Sequence, residues 1–171
     1  MSLRRNIGRA LRHRRAGTAQ GILARLGIYS SPTIKVTSPA FDDGYTIPDR
    51  YCAYAGGRNI SPPLTWSNLP SGTKQLLLVV QDPDVPLPRP ITHCVALLYP
   101  EPEFIADGLL AQYHGPRPLV GHGLHHYQFY LFALDCKIDL RLNRFRLGSL
   151  IAKIRAHVLG WGILIGVSER P

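Results

Sequence analysis

Apolar residues recur along this chain with different periods, and the changes of period divide it. Between residues 32 and 140 the spacing is that of strands. Residues 34–36 open an extended segment, and residues 76–81, 93–98 and 125–134 are rich in β-branched, aromatic or leucine residues. "SPPLTW" at 61–66 is a proline-stiffened entry to a strand, "NLPSGT" at 68–73 a turn, and Ile47-Pro48 and Gly56-Gly57 mark loops. From residue 141 the period becomes helical: Leu147, Leu150, Ile151, Ile154 and Val158 form one stripe, which Gly160 is expected to end. "WGILIGV" at 161–167 then reads as a final buried strand. Residues 1–31 carry a weaker helical spacing, first Leu3, Ile7 and Leu11, then Ile22, Leu23 and Leu26. Gly17 separates the two, Thr18 is the expected N-cap of the second, and "SSP" at 30–32 breaks any helix. The pattern predicts a mostly-β chain: an antiparallel β-sandwich with a C-terminal amphipathic helix and a helical N-terminal extension.

Charge sharpens the first boundary. The chain of 171 residues has a net charge of +9, but residues 1–31 hold seven arginines and no acid. The remainder holds 13 basic against 11 acidic residues, so the basicity belongs to the leader. The expected organisation is a basic extension, 1–31, and one domain, 32–171, which should stay folded when the extension is deleted. With 45% apolar and 18% charged residues the composition is that of a globular protein. Cys52, Cys94 and Cys136 are scattered and odd in number, which argues for reduced thiols and against a zinc site. The apolar runs are too short to span a bilayer, and no apolar region follows the early arginines as in a signal peptide. The expected location is the cytoplasm, with attachment to a membrane surface or a larger complex as variants.

The candidate chemistry lies at strand ends. "LLLVVQDPDVPLPRPITHC" at 76–94 runs from a strand into Asp82 and Asp84 among prolines, with His93 following. In "GHGLHHYQFYLFALD" at 121–135, His125 and Tyr127 share one face of a strand, while His126 points to the other. "HGPRP" at 114–118 offers the Gly115 N–H, stiffened by Pro116. Imidazoles, a phenol and a main-chain N–H are donors suited to a phosphate or carboxylate, and an Asp beside them orients an imidazole or accepts from a ligand amine. His13, His114, His122 and His157 have no evident partner and read as surface residues.

Taken together, "SPPLTW", "DPDVP" with a following histidine, "GPRP" and "GLHHY" resemble the bacterial type of the phosphatidylethanolamine-binding protein, or Raf kinase inhibitor-like, family. The resemblance covers about residues 32–168, including the closing "AHVLGWGILIGVSER". It implies an antiparallel sandwich with a small pocket for phosphate or phosphoethanolamine-like groups. The pocket residues it implies are Asp82, His93, Gly115, His125 and Tyr127, with Asp84 structural and Pro116 a secondary candidate. The chain departs from the family in lacking aromatic neighbours at His93, in having His126 where an arginine is usual, and in its basic leader.

The function expected from this is that of a non-catalytic module that binds a small anion or phospholipid headgroup and regulates or scaffolds a protein partner. No cofactor, metal or catalytic residue is assigned. Arg4, Arg5, Arg9, Arg12, Arg14 and Arg15 are expected to meet an acidic partner or an anionic surface. Two alternatives stand beside it. One is a metal-dependent hydrolase built on the Asp/His cluster, for which no H-E-x-x-H is present. The other is nonspecific binding of nucleic acid or anionic membrane through the leader; sequence-specific nucleic-acid recognition is not expected.

Overall fold

The computed structural model describes residues 3–54, 56–139 and 147–171. The chain runs through helices α1 (Leu3–Leu11) and α2 (Ile22–Leu26), strand β1 (Lys35–Thr37), a 3-10 turn (Asp49–Tyr51), β2 (Leu64–Ser67), β3 (Gln75–Asp82), β4 (Ile91–Leu98), β5 (Phe104–Ile105), β6 (His125–Leu134), α3 (Leu147–Ile154) and β7 (Val158–Ser168). The strands form a four-stranded sheet, β4-β3-β6-β7, and a three-stranded sheet, β1-β2-β5. All named pairings are antiparallel. The mostly-β sandwich expected from the sequence is therefore the fold. Part of the region expected to turn helical, residues 141–146, lies outside the described residues.

Strand β3 explains why its sequence is a continuous apolar run and not an alternation. Leu76, Leu78 and Val80 face the small sheet, in a core with Val36, Trp66, Phe129 and Leu131. Leu77 and Val79 face the other way, in a second core with Tyr130, Phe132, Ile151 and Trp161. Each face is covered, so polar residues have no place on either. The buried thiols Cys52 and Cys94 belong to the first core.

The second core alters the picture of the leader. Ile22 is 0% exposed and packs there with Leu26, against Leu77, Val79 and α3. The Ile22 N–H donates to Gln81 Oε1 at 2.9 Å, and the N–H groups of Ala16 and Gly17 donate to the carbonyls of Val85 and Pro83. The leader is thus built into the domain, because β3 needs an apolar cover that α3 alone does not complete. In α1 the expected stripe faces solvent: Leu3 is 76% and Ile7 45% exposed. The packed face is centred on Gly8, where an added Cβ would lie 1.9 Å from Val120 O. A helix backbone comes this close only at glycine.

Two further expectations change. The residue before α2 is Gly21, which makes no side-chain cap, and Thr18 instead accepts the Gly21 N–H through its carbonyl. Gly160 does not end the helix but sits within β7. A Cβ there would meet Thr33 Oγ1 at 2.7 Å and Pro70 Cγ at 2.9 Å, so close packing requires the glycine.

Ile22→Ala should lower the unfolding free energy by about 2–5 kcal/mol in urea titration, and removal of residues 1–31 should lower the midpoint further. Unchanged midpoints in both would restore the picture of a separable extension.

Candidate functional site

The polar end of the large sheet is set by register. Strands β3 and β6 pair from Gln75↔Leu134 to Gln81↔Gln128, which leaves Asp82 next to the beginning of β6. Asp82 has the parity of Val80, and His125 and Tyr127 that of Phe129, so all three share the face of the first core. Strand β4 brings His93 to them through a register shift: Val80 pairs with Cys94 and Gln81 with Thr92, leaving His93 as the extra residue. Strict alternation from Cys94 would turn His93 to the opposite face. The bulge instead places its ring edge-on to Tyr127, with centroids 5.1 Å apart.

A chain of hydrogen bonds runs away from this point. His125 Nδ1–H donates to Asp82 Oδ2 at 2.7 Å, in a pair that is almost fully buried. His125 Nε2 lies 2.8 Å from His122 Nδ1, which also receives Arg15 NH1 at 2.7 Å. His122 Nε2 lies 3.0 Å from the Leu11 carbonyl. A carbonyl only accepts and a guanidinium only donates, so His122 carries its proton on Nε2 and accepts at Nδ1. His125 Nε2 shares the Nδ1 side of His122 with the Arg15 guanidinium.

Each expected residue has a definite place. Asp82, His93, His125 and Tyr127 line one cavity of about 540 Å³. Gly115 and Pro116 are not among its lining residues. The Gly115 N–H donates to Asn59 Oδ1 at 2.7 Å, a Cβ on Gly115 would clash with Tyr51 O, and the Pro116 carbonyl accepts from Ala53. These contacts tie both residues to the segment around Tyr51, Ala53 and Asn59. Asp84 is structural: it accepts the His126 main-chain N–H and ring Nδ1, both at 2.7 Å, and faces Arg15 Nε at 3.5 Å. His126 is exposed on the other face, as its strand parity requires. His114 offers its carbonyl to His93 Nδ1 at 2.8 Å.

His122 was expected at the surface, and it is 1% exposed. Gly121 and Gly123, both at positive φ, fold the "GHG" turn back so that its ring meets Leu11 and Arg15. The space beside these glycines is taken by the leader: a Cβ on Gly121 would lie 2.9 Å from Arg5 O. The signal in the sequence was a histidine between two glycines, legible only with knowledge that α1 lies above it.

Two buried polar atoms at the cavity, His93 Nε2 and Tyr127 Oη, have no hydrogen-bond partner among the described residues. Tyr127 Oη lies near the Arg117 main chain but completes no bond with it. Burial, then the charge of Asp82, pushes the Tyr127 phenol well above its ordinary range, so it stays protonated and able to donate. Burial lowers the pKa of His93, against the opposing effects of the His114 carbonyl and Asp82. The cavity also carries Arg4, Arg117 and Arg170 against one acid, Asp82. At the far end of β6, the donor atoms of Asp135, Cys136 and His157 lie within 4.8 Å of one another, gathered by a 2.8 Å His157–Asp135 bond.

The family model for phosphatidylethanolamine-binding protein matches residues 37–169. The chain belongs to that family. A UPF0098 protein of Pyrococcus abyssi is 32% identical over 165 residues, covering 85% of this chain and 90% of its own. Among solved structures, a homolog of phosphatidylethanolamine-binding protein from Chlamydia trachomatis superposes with a TM-score of 0.73 at 29% identity, over 82% of this chain and 100% of that one. YbcL of E. coli, described as a member of the mammalian family, gives 0.71 at 25% identity, over 81% and 99%. No described helix is long and apolar enough to cross a membrane.

Burial also lowers the pKa of His122, with the charges of His125 and Arg15 acting in the same direction. His93 and His122 therefore take up protons more readily unfolded than folded. Their contribution to stability is full above the ordinary value of 6.5 and is lost as pH falls through and below it. Melting temperature should fall as pH drops from about 7 toward 5, and less steeply in His122→Gln. A constant offset between the two proteins across this range would sink the assignment.

Proposed function

We propose that the chain is a non-catalytic binding module for small phosphate- or carboxylate-bearing anions, of the phospholipid-headgroup class, which acts through a protein partner. The observation that carries this is the pair of unpartnered polar atoms, His93 Nε2 and Tyr127 Oη, side by side in a cavity edged by arginines. Buried polar groups without partners are costly, and an anionic oxygen would satisfy both. The names of the family and of the Chlamydia relative, which refer to phosphatidylethanolamine binding, support the same class of ligand.

The residues lining the cavity include no Ser, Thr, Cys or Lys to serve as a nucleophile. Asp82 is committed to His125 and to the Asp84 N–H, at 2.7 and 2.8 Å, which leaves it poorly placed as a general base or metal ligand. These commitments favour binding over hydrolysis. The His125 nitrogens are likewise engaged, so its part in recognition is to hold Asp82 in place while His93 and Tyr127 meet the ligand. The exposed arginines Arg9, Arg12 and Arg14 of the leader are the surface proposed for an acidic partner. Three unpaired cysteines support a cytoplasmic setting.

The proton balance gives a test. His93 Nδ1–H points at the His114 carbonyl, so Nε2 can donate to an anion only when the ring is cationic. Burial keeps the free ring neutral at neutral pH, and an anion must bring a proton with it. Sulfate, which does not itself titrate in this range, should bind more weakly as pH rises above 6.5, by at most about tenfold per unit. Calorimetry should show that His93→Ala and Tyr127→Phe each weaken sulfate binding by about tenfold. Wild-type protein that binds neither sulfate nor phosphate at any pH between about 5.5 and 8 would refute the site.

A further inference from the structure

Two of the three arginines at the cavity, Arg4 and Arg170, lie outside residues 37–169, the stretch that the family model matches. Arg4 is carried by α1 and Arg170 follows β7, while Arg117 belongs to the loop before β6. The only acid on the same wall is Asp82, and both its oxygens are in use: Oδ1 accepts the Asp84 N–H, and Oδ2 accepts from His125. Among the described residues neither Arg4 nor Arg117 has a carboxylate within ion-pair distance. Arg170 lies over the Tyr54 ring at 5.2 Å and reaches the Pro118 carbonyl at 3.4 Å, and among the described residues it has no carboxylate within ion-pair distance.

A ligand entering this cavity meets guanidinium charge with no carboxylate to spare. A phosphate is attracted, whereas an ammonium group on the same ligand would lose its water, find as anion only Asp82, which is 1% exposed and already bonded at both oxygens, and face like charge. The remaining wall is apolar, with Val85, Pro86, Leu87, Ile91, Leu119 and Val120. We infer that the cavity selects amine-free phosphate monoesters bearing a short apolar group over zwitterionic phosphoethanolamine, and that Arg4, Arg117 and Arg170 determine this specificity. The inference rests on the anion-site reading above and names its ligand class. It places in the leader a residue, Arg4, that acts on ligand choice.

Propyl phosphate and phosphoethanolamine have the same shape and differ by a methyl in place of the ammonium, so they isolate the effect. Calorimetric titration of the full chain at low salt and about pH 7.5, where the phosphate is largely dianionic, should show propyl phosphate binding at least about tenfold more tightly, or about 1.4 kcal/mol. Arg4→Ala should bring the two affinities to within about threefold, with an unchanged circular-dichroism spectrum. Arg117→Ala provides a second variant on a different element. Equal affinities in the wild type, or a preference for phosphoethanolamine, would overturn the inference while leaving the anion site intact. A ratio unchanged in both variants would overturn the arginine assignment. If neither probe nor sulfate binds, the site itself fails. With propyl phosphate bound, its displacement by phosphatidylcholine vesicles containing phosphatidic acid would identify the monoester as a lipid headgroup. Absence of displacement would identify it as a free soluble monoester, and the proposed class stands on either result.

Discussion

The structure turns on the fact that its central strands are buried on both faces. Leu76, Leu78 and Val80 of β3 need one cover, and Leu77 and Val79 need another. The small sheet provides the first, and α2 with α3 the second. Water-exposed apolar area costs about 25 cal/mol per Å², so neither cover is optional for a strand with no polar side. The basic leader is consequently tied to the domain by an apolar requirement in β3. Its arginines are carried by a segment held by Ile22 and Leu26, and Arg15 is bonded into the polar end of the sheet.

The same sheet ends in charge, and the two facts are linked. A carboxylate at the rim of a sandwich core is tolerated only when it is paired and hydrogen-bonded. Asp82 obtains this from His125 and from the Asp84 main chain. His125 in turn leans on His122, and His122 on Arg15 and the Leu11 carbonyl. The leader therefore completes both the apolar cover of the sheet and the polar chain at its end. Ligand recognition falls to the groups that this chain leaves unsatisfied, His93 Nε2 and Tyr127 Oη.

Much of this was legible in the sequence where the signal is local. Strand β6 announced itself by length and composition, and its parity correctly separated His125 and Tyr127 from His126. The stripe from Leu147 to Ile154 located α3, since a helix displays its period over a few turns. What the sequence concealed depends on contacts between distant segments. The orientation of His93 depends on a bulge opposite Val80, which no periodicity encodes. His122 is buried by α1, more than a hundred residues earlier. The role of the leader was hidden because its charge is conspicuous and its contribution to the core is two or three apolar side chains. Gly115 and Gly160 were noticed as glycines, but for a donated N–H and a helix end. Only the packed structure shows that each is required by a neighbour pressing on its Cα.

Cys52 and Cys94 lie in the core between the sheets, not in the one that the leader covers. Burial raises both thiols above their ordinary pKa, Cys94 to about 12, so neither presents a thiolate while the sandwich is closed. Cys94 borders a surface cavity beside Thr92 and His93. An oxidant reaches the fully buried Cys52 only when the core around it opens, and a sulfenic acid would then leave a polar group where a small apolar one must return. Oxidation of Cys52 would accordingly act as a ratchet. It holds a transient opening until the sulfenic acid is reduced, so the lifetime of the molecule in an oxidising setting depends on how rarely that core opens.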